Sequence, residues 1–164
     1  MAYKSLTQQK INELFEYLEG HLYWKIKPSM PVSVGDRAGT ITKYGYVSIL
    51  VNRKPYREHK IIFLMFHGYV PKYIDHMDLD KANNRIENLR EATARQNCYN
   101  RERRPDTTSG VKGVHLIKEK NLWRARCTVD GKRHLIGDFT DIKDAEKALK
   151  LFREKHHGEF ANHG

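Results

Sequence analysis

The longest uninterrupted apolar run in this chain has only six residues, Ile61 to Phe66, and it limits what the chain can fold into. Such a run fits one buried element and is far too short to cross a bilayer. With 164 residues, the chain can form one ordinary domain or two or three very small ones. The N-terminus has no charged segment followed by an apolar one, as an export signal would, so we expect a cytosolic protein.

The charge of the chain favours a polyanionic partner. Its 30 Lys and Arg residues against 20 Asp and Glu give a net charge of +10 and an isoelectric point near 9.6. Half of this surplus lies between Lys112 and Arg133, where seven basic residues occur with two acidic ones. Ribosome-associated and membrane-surface proteins are basic too, so the net charge alone is weak evidence for a polyanionic partner. The concentration of basic residues in this segment is stronger evidence.

The overall composition, with 39% hydrophobic and 30% charged residues, is typical of a soluble globular protein. Two cysteines, Cys98 and Cys127, are too few and too far apart in sequence for a disulfide framework or a pair of zinc-binding Cys motifs. We therefore expect both to be buried or half-buried thiols.

The N-terminal residues predict a helix. Apolar residues at the spacing of one buried helix face favour a helix that begins after Ser5 or Thr7 and ends at Gly20. These residues are Ile11, Leu14, Phe15 and Leu18.

A small sheet and a second helix are predicted next. Short β-prone runs broken by glycines fill residues 22–56; the clearest strand covers residues 46–51, and Asn52-Arg53 forms a hairpin turn. The second helix, residues 57–67, contains the apolar run and ends at Gly68. Its apolar density predicts a core element.

Residues with useful chemistry concentrate in the middle of the chain. A short strand that ends at Asp75-His76 leads into a polar loop, residues 78–84, which a packed core would not contain. The chain then returns as a second strand through Ile86 and Leu89. This pattern predicts a β-hairpin with a polar loop.

A helix is predicted directly after this hairpin. Thr93 and Gln96 have the spacing of a capping box, so Asn97 lies in the first turn of the helix. A β-hairpin followed by a helix can bring Asp75, His76 and Asn97 together.

These three residues suit hydrolysis. Asp75 and Asn97 offer oxygen ligands to a cation such as Mg²⁺ and leave positions open for water and substrate phosphate oxygens. His76 lies on the opposite side of the strand from Asp75 and can take a proton from an attacking water, because imidazole titrates near neutral pH.

Each of these residues also has a purely structural interpretation. An isolated Asp-His pair is usually a surface turn or a capped strand end. We expect His59 to be structural, because it leads an apolar helix, and His67 to be a helix C-terminal residue. Asp78 and Asp80 are more simply explained as solvated turn formers than as metal ligands.

The middle segment resembles the HNH endonucleases with a ββα-metal core. The resemblance implies that His76 is the general base, that Asp75 and Asn97 bind one divalent metal, and that Asn88 braces the active-site loop. The matching residues are Asp75-His76, Asn83-Asn84-Arg85-Ile86-Glu87-Asn88-Leu89-Arg90, Thr93 and Gln96-Asn97. The residues upstream are similar to the N-terminal part of phage-type members, namely Leu22-Tyr23-Trp24, Ala38-Gly39-Thr40, Gly45-Tyr46, His59, Gly68 and Pro71.

The C-terminal third has a different design. Polar residues 101–110 have the composition of a linker, and Arg101, Arg103 and Arg104 are candidate phosphate contacts. Strands at 111–117, 122–129 and 132–137, with an Asp130-Gly131 turn, are followed by a helix from about Asp141. The prediction is a three-stranded sheet covered by one helix.

The second of these strands alternates between two faces. One face carries Trp123, Ala125, Cys127 and Val129 for packing. The helix supplies a matching apolar stripe, Ile142, Ala145, Leu149 and Phe152. The other strand face carries Arg124, Arg126 and Thr128, which is either a DNA-contacting surface or an ordinary solvated sheet face.

Residues 110–162 resemble the APETALA2-type DNA-binding domain. The resemblance implies that the sheet reads the DNA major groove through Lys112, His115, Arg124, Arg126 and Arg133, and we add Lys132. The matching residues are Lys112-Gly113-Val114-His115, Trp123-Arg124-Ala125, Gly131-Lys132-Arg133, Leu135-Ile136-Gly137-Asp138-Phe139 and Asp144-Ala145. Because Lys112, His115 and Leu135 depart from the common family residues, the base preference of the family does not transfer.

These observations predict an α+β protein: a small N-terminal α/β segment, a ββα-metal nuclease core, and a three-stranded antiparallel sheet packed on one helix. The predicted domains are a nuclease domain (1–104, divided into 1–58 and 59–104), a linker (105–110) and a DNA-binding domain (111–164).

The predicted function is a nicking or site-specific, homing-type DNA endonuclease. It would use one divalent cation, Mg²⁺ first, with Mn²⁺ or another divalent ion as alternatives, and no small-molecule cofactor. The expected partner is double-stranded DNA, and no membrane association is expected. The expected compartment is the host bacterial cytosol if the chain is phage-encoded. A monomer is favoured. The alternatives are a DNA-binding regulator on a catalytically silent nuclease scaffold and a protein that binds or cuts RNA.

Overall fold

The computed structural model describes residues 6–102 and 109–164 and has an α+β fold with small antiparallel sheets. The chain divides into two compact units, Met1–Ala92 and Thr93–Gly164. The predicted linker, residues 105–110, lies largely outside the described residues. The domain boundaries derived from the sequence therefore stay a prediction.

The first unit contains α1 (Gln8–Leu14), β1 (Phe15–Leu18), β2 (His21–Trp24), β3 (Thr40–Ile41), β4 (Val47–Val51), β5 (Lys54–Arg57), α2 (Glu58–His67), β6 (Tyr73–His76) and β7 (Leu89–Ala92). A 3₁₀ turn, Ile86–Asn88, precedes β7. Within the described residues, the sheets are a β1–β2 hairpin, a β3–β4–β5 meander and a β6–β7 hairpin.

The first helix is shorter than the sequence pattern predicts. The Thr7 side chain caps α1 by accepting a hydrogen bond from the Lys10 amide, but the helix ends at Leu14. Phe15 and Leu18, which share a helical spacing with Ile11, lie instead on β1. Phe15 packs on Trp24 of β2 with ring centroids 4.6 Å apart, so tertiary packing overrides the periodicity. Leu18 is 57% exposed, and the prediction that it is buried was wrong.

The predictions for the meander and the second helix are confirmed. Asn52 and Arg53 both have positive φ, as a two-residue hairpin turn between β4 and β5 requires. The second helix, α2, follows β5 directly and ends at Gly68, which adopts the left-handed conformation.

The core of the first unit forms around α2. Ile61 and Ile62 of this helix are fully buried and belong to one apolar cluster with Ile11, Leu22 and Ile49. Each such side chain removes enough apolar surface from water to stabilise the fold by about 1.5–3 kcal/mol. The helix therefore anchors the α1 segment, the hairpin and the meander to one another.

The β6–β7 hairpin differs from the prediction in one strand. Ile86 lies in the 3₁₀ turn, and β7 begins only at Leu89. The strands pair in antiparallel register, with Asp75 opposite Arg90 and His76 opposite Leu89.

The second unit contains α3 (Ala94–Tyr99), β8 (Val114–Ile117), β9 (Leu122–Val129), β10 (Lys132–Phe139), α4 (Ile142–His157) and a 3₁₀ turn (Gly158–Phe160). The capping box predicted for the start of α3 is confirmed: Thr93 accepts from the Gln96 amide, and Gln96 accepts from the Thr93 amide.

The sheet of the second unit has the order β10–β9–β8, and α4 covers one of its faces. The predicted packing face is confirmed, since Ala125 and Cys127 of β9 are buried with Ala145 and Leu149 of α4. The prediction of a buried or half-buried Cys98 was wrong: this thiol is exposed on the short helix α3. In the described parts of the chain, no helix combines the length and apolar character needed to span a membrane.

The turn between β1 and β2 offers a test of the fold. Gly20 has φ +88°, and a Cβ there would lie 2.7 Å from the backbone nitrogen of Arg85. We expect Gly20→Ala to lower the free energy of unfolding by about 2–5 kcal/mol, because backbone strain and overpacking both contribute.

Gly35→Ala is the matched control for this substitution. Gly35 has a similar φ of +86°, but no described heavy atom lies within 4 Å of the added Cβ. Only the strain of about 1–2 kcal/mol is therefore expected. Equal losses for the two variants in urea unfolding would contradict the close packing of Gly20 on Arg85.

Candidate active site

Asp75 and His76 end the strand β6, and both side chains are buried. Neighbouring residues of a strand point to opposite faces, so the carboxylate and the imidazole lie on different sides of the backbone. Buried charged and titratable groups need partners. Both residues have them.

Hydrogen bonds hold the imidazole of His76. Its Nε2 lies 3.0 Å from Oδ1 of Asn84 in the loop that follows β6. Nδ2 of Asn84 donates to Oε2 of Glu58 at 2.8 Å, and the Leu22 amide donates to the other Glu58 oxygen at 3.0 Å. These side chains are all buried, so the arrangement is shielded from solvent.

Glu58 is the first residue of α2, and its side chain is fully buried. Burial raises its pKa, and the hydrogen bonds from Leu22 and Asn84 oppose this shift. Glu58 was not among the residues predicted from the sequence. The signal in the sequence was an acidic residue three positions before the apolar run that begins at Ile61.

Asp75 forms a buried ion pair with Arg90, its cross-strand neighbour on β7. Nε and Nη2 of Arg90 donate to Oδ2 of Asp75 at 2.9 and 2.8 Å. Removing one member of such a pair costs about 3–5 kcal/mol, because the other is left as an uncompensated buried charge. Arg90 therefore fixes the position of the Asp75 carboxylate, a role that the sequence analysis missed.

The donors suggested for a divalent metal are the Asp75 carboxylate and the Asn97 amide. Their chemistry fits a hard cation, because both offer oxygen atoms. Asn97 lies on α3, in the second unit. In the described ranges 6–102 and 109–164, no group of three or more His, Cys, Asp or Glu side chains could hold a metal ion. One carboxylate and one amide would leave the remaining positions of a metal to water and phosphate.

His59 lies beside His76, with ring centroids 5.1 Å apart in an edge-on arrangement. It is buried, and its Nδ1 has no hydrogen-bond partner among the described residues. Burial, followed by the charges of His76, Lys60 and Arg57, lowers the pKa of His59 to about 3. The ring is therefore neutral at physiological pH.

Asn88 spans the loop between β6 and β7. Its Oδ1 accepts from the Asp78 amide, and its Nδ2 donates to Oδ1 of Asp78 and to the Asn83 carbonyl. Burial alone would raise the pKa of Asp78, but hydrogen bonds from Asn83, Asn88 and the Asp80 amide lower it overall. Asp78 and Asp80 accept hydrogen bonds within the loop, as turn formers do.

Two cations lie over the ring of Tyr46, which contacts both histidines of the site. The Arg57 guanidinium is 4.9 Å and the Lys81 ammonium 5.3 Å from the ring centroid. The Tyr46 ring is 5.4 Å from His59 and 6.1 Å from His76. These cations place positive charge beside His76, and the sequence analysis identified neither.

The predicted DNA-contacting residues of the second unit fall into two groups. On the face away from α4, register pairs Arg124 with His115 and Arg133 with Thr128, so they share one side with Arg126. Lys132 pairs with Val129, which packs towards α4, so the structure does not bring Lys132 to the arginine face. Arg101 is exposed, whereas Arg103 and Arg104 lie outside the described residues.

Lys112 has a structural environment. Its ammonium group donates to the backbone carbonyls of Tyr99, Arg101 and Asn162. Burial and the charge of Arg153 lower its pKa to about 8. These contacts direct the ammonium into the second unit, so the DNA contact predicted for Lys112 stays a prediction without geometric support.

Arg124 forms an ion pair with Asp138 on the same face of the sheet. Its Nε and Nη2 donate to the two carboxylate oxygens at 2.6 Å each. Burial lowers the pKa of His115 on this face, and the charges of Arg126 and Arg124 lower it further.

Comparisons with known proteins agree with the motif. A family model described as HNH endonuclease matches residues 56–99. Protein 3.8 of Escherichia phage T7 is 34% identical over 107 residues, which cover 64% of this chain and 88% of that protein. The uncharacterized HNH endonuclease L560 of Acanthamoeba polyphaga mimivirus is 37% identical over 106 residues, which cover 63% of this chain and 54% of that protein. No solved structure matches the chain significantly.

The depressed pKa of His59 predicts a loss of stability in acid. Between its ordinary pKa of 6.5 and its folded value of about 3, the unfolded chain binds a proton that the folded chain does not. The contribution of His59 to the free energy of unfolding is therefore complete above the upper value. It falls by about 1.4 kcal/mol per pH unit below it.

Denaturant unfolding between about pH 6 and about pH 4 tests this prediction. We expect His59→Gln to lose stability less steeply with falling pH than the wild type. The control variant His67→Gln changes an exposed histidine on the same helix and should keep the wild-type slope. Equal slopes for all three proteins would contradict a neutral buried His59.

Proposed function

Because the chain belongs to the HNH endonuclease family, we propose that it is a metal-dependent DNA endonuclease whose general base is His76. The observation that carries this proposal is the buried imidazole at the end of β6, held by Asn84 next to the ion-paired Asp75. A general base must be held in a fixed position to activate water at a phosphodiester. A hydrogen-bonded imidazole beside a buried carboxylate meets this requirement better than an Asp-His pair in a surface turn would.

In the proposed mechanism, each residue of the site has one task. His76 takes a proton from the water that attacks phosphorus, and the bond from phosphorus to the O3′ oxygen breaks. The leaving oxygen takes a proton from solvent, so the products are a 3′-hydroxyl and a 5′-phosphate. Asp75 and Asn97 would hold one divalent cation, Mg²⁺ or alternatively Mn²⁺, which stabilises charge on the phosphate and the leaving oxygen. Asn88 keeps the loop after β6 in shape. Arg57 and Lys81 supply positive charge for the DNA backbone.

We further propose that the sheet of the second unit binds double-stranded DNA in the manner of an APETALA2-type domain. Support comes from the face that carries His115, Arg124, Arg126 and Arg133 opposite the α4-covered face. An exposed antiparallel sheet of this kind fits the major groove of DNA better than the narrow groove of RNA. One nuclease site per chain favours nicking over double-strand cleavage, if the protein acts as a monomer. The biological role that we propose is of the homing type.

A DNA-binding regulator on a silent nuclease scaffold is the alternative function. It would explain the basic sheet but not the presence of Asp75, His76 and Asn97 together, since a decayed site loses at least one of its reactive groups. The buried hydrogen bonds around His76 also favour an active enzyme.

A nicking assay on supercoiled plasmid tests the enzyme. We expect cleavage with Mg²⁺ and none with EDTA, because the proposed site needs a divalent cation. His76→Ala should lower the rate by about 10²- to 10⁴-fold, the usual contribution of a general base. The control His67→Ala removes an exposed histidine and should cut at the wild-type rate.

The same assay separates the alternatives. An intact plasmid across several divalent cations and target-containing sequences would favour the regulator, and full activity of His76→Ala would contradict the choice of base. Cleavage of matched single-stranded RNA in preference to DNA would favour an RNA enzyme.

Salt titrations of DNA binding test the basic sheet face. We expect Arg126→Ala to weaken binding and to reduce the salt dependence of the affinity by about one counterion, because one phosphate contact is lost. The control Lys147→Ala removes an exposed charge from α4, which covers the opposite face, and should change neither quantity. Fluorescence anisotropy at several salt concentrations measures both. Equal effects of the two substitutions would contradict the assigned face.

A further inference from the structure

The buried carboxylate of Glu58 is connected to the proposed general base, His76, through the side chain of Asn84. Glu58 is fully buried at the start of α2, and each of its oxygens accepts one donor. The Leu22 amide donates to Oε1, and the Asn84 amide nitrogen donates to Oε2. Burying a carboxylate costs free energy, so we expect Glu58 to have a specific structural or functional role.

A purely structural role explains only half of these contacts. Glu58 satisfies the backbone N–H of Leu22, and this bond links β2 to α2. An uncharged acceptor such as Gln would serve that purpose as well. The second oxygen, however, is committed to a side chain that itself contacts His76.

The orientation of the Asn84 amide follows from the chemistry of Glu58. Both oxygens of Glu58 accept hydrogen bonds, one from the Leu22 amide and one from Nδ2 of Asn84, so the Asn84 amide presents its nitrogen to Glu58. The amide oxygen then necessarily faces the other way, where it lies 3.0 Å from Nε2 of His76. Rotating the amide by half a turn would bring two oxygens together in a buried site.

This orientation decides which nitrogen of the neutral imidazole carries the proton. An amide oxygen accepts only from Nε2–H, so the lone pair resides on Nδ1. We propose that Glu58 is a positioning residue that sets the tautomer of His76 through Asn84 and thereby makes Nδ1 the basic nitrogen. The link from tautomer to catalysis rests on the general-base role proposed above, whereas the tautomer itself does not.

Glu58→Gln provides the sharpest test. The Leu22 amide still requires an acceptor, so the Gln oxygen must face Leu22 and the Gln amide nitrogen must face Asn84. Asn84 then turns to offer its oxygen to that donor, and its own nitrogen faces His76. The ring must accept at Nε2, and the proton moves to Nδ1.

A second substitution reverses the effect. In the double variant Glu58→Gln with Asn84→Asp, one carboxylate oxygen of residue 84 accepts from the Gln amide and the other accepts from Nε2–H of His76. The double variant keeps the size and shape of both side chains and moves the carboxylate from residue 58 to residue 84. We therefore expect it to restore the wild-type tautomer.

The tautomer is read from ¹⁵N chemical shifts of the two His76 ring nitrogens at mildly alkaline pH. The expected protonated nitrogen is Nε2 in the wild type, Nδ1 in Glu58→Gln and Nε2 again in the double variant. Glu16→Gln, the same change at an exposed carboxylate on β1, should leave the tautomer at Nε2.

Several outcomes would overturn the proposal. A wild-type ring protonated at Nδ1, a Glu58→Gln ring still protonated at Nε2, or a folded double variant protonated at Nδ1 each contradicts it. If Glu58→Gln does not fold, the wild type and the double variant still decide.

Cleavage rates provide a separate readout. We expect Glu58→Gln to lower kcat by about 10²- to 10⁴-fold and the double variant to recover activity, because the lone pair returns to Nδ1. If the wild type cuts no nucleic acid, the proposed function fails, while the ring shifts still test the positioning role of Glu58.

Discussion

The first unit depends on a short series of buried hydrogen bonds that runs from the Leu22 amide through Glu58 and Asn84 to His76. It joins the β1–β2 hairpin, the start of α2, the loop after β6 and the end of β6. In a poorly polarisable interior, every donor needs an acceptor, so a change at one member alters the others. The apolar core holds these elements together, and the polar bonds determine how the reactive ring is presented.

Local signals predicted the fold well where turns and caps have their own chemistry. The Asn52-Arg53 turn and the Thr93 capping box were identified from a few residues each, because positive φ and side-chain capping favour particular residue types. Periodicity alone failed between Phe15 and Leu18. A helical face and a hairpin can share the same apolar spacing, and only the contact of Phe15 with Trp24 decides between them.

The site was predictable to the extent that reactivity is a property of residue type. Asp75 and His76 stand out because a carboxylate and an imidazole end a strand that leads into a polar loop, residues 78–84, which a packed core would not contain. Glu58 and Arg90 do not, because their importance comes from burial and from partners that are distant in sequence. The exposed Cys98 illustrates the same difficulty, since a thiol gives little indication of its own accessibility.

The ion pair of Arg124 with Asp138 has a consequence for how the proposed DNA-binding face would search a genome. An acid on such a surface repels phosphates wherever the duplex approaches in a wrong register. It also limits the rotation of Arg124, so the guanidinium reaches a base edge from one direction only. The face would therefore have a lower non-specific affinity for DNA and a shorter residence time at unrelated sequences.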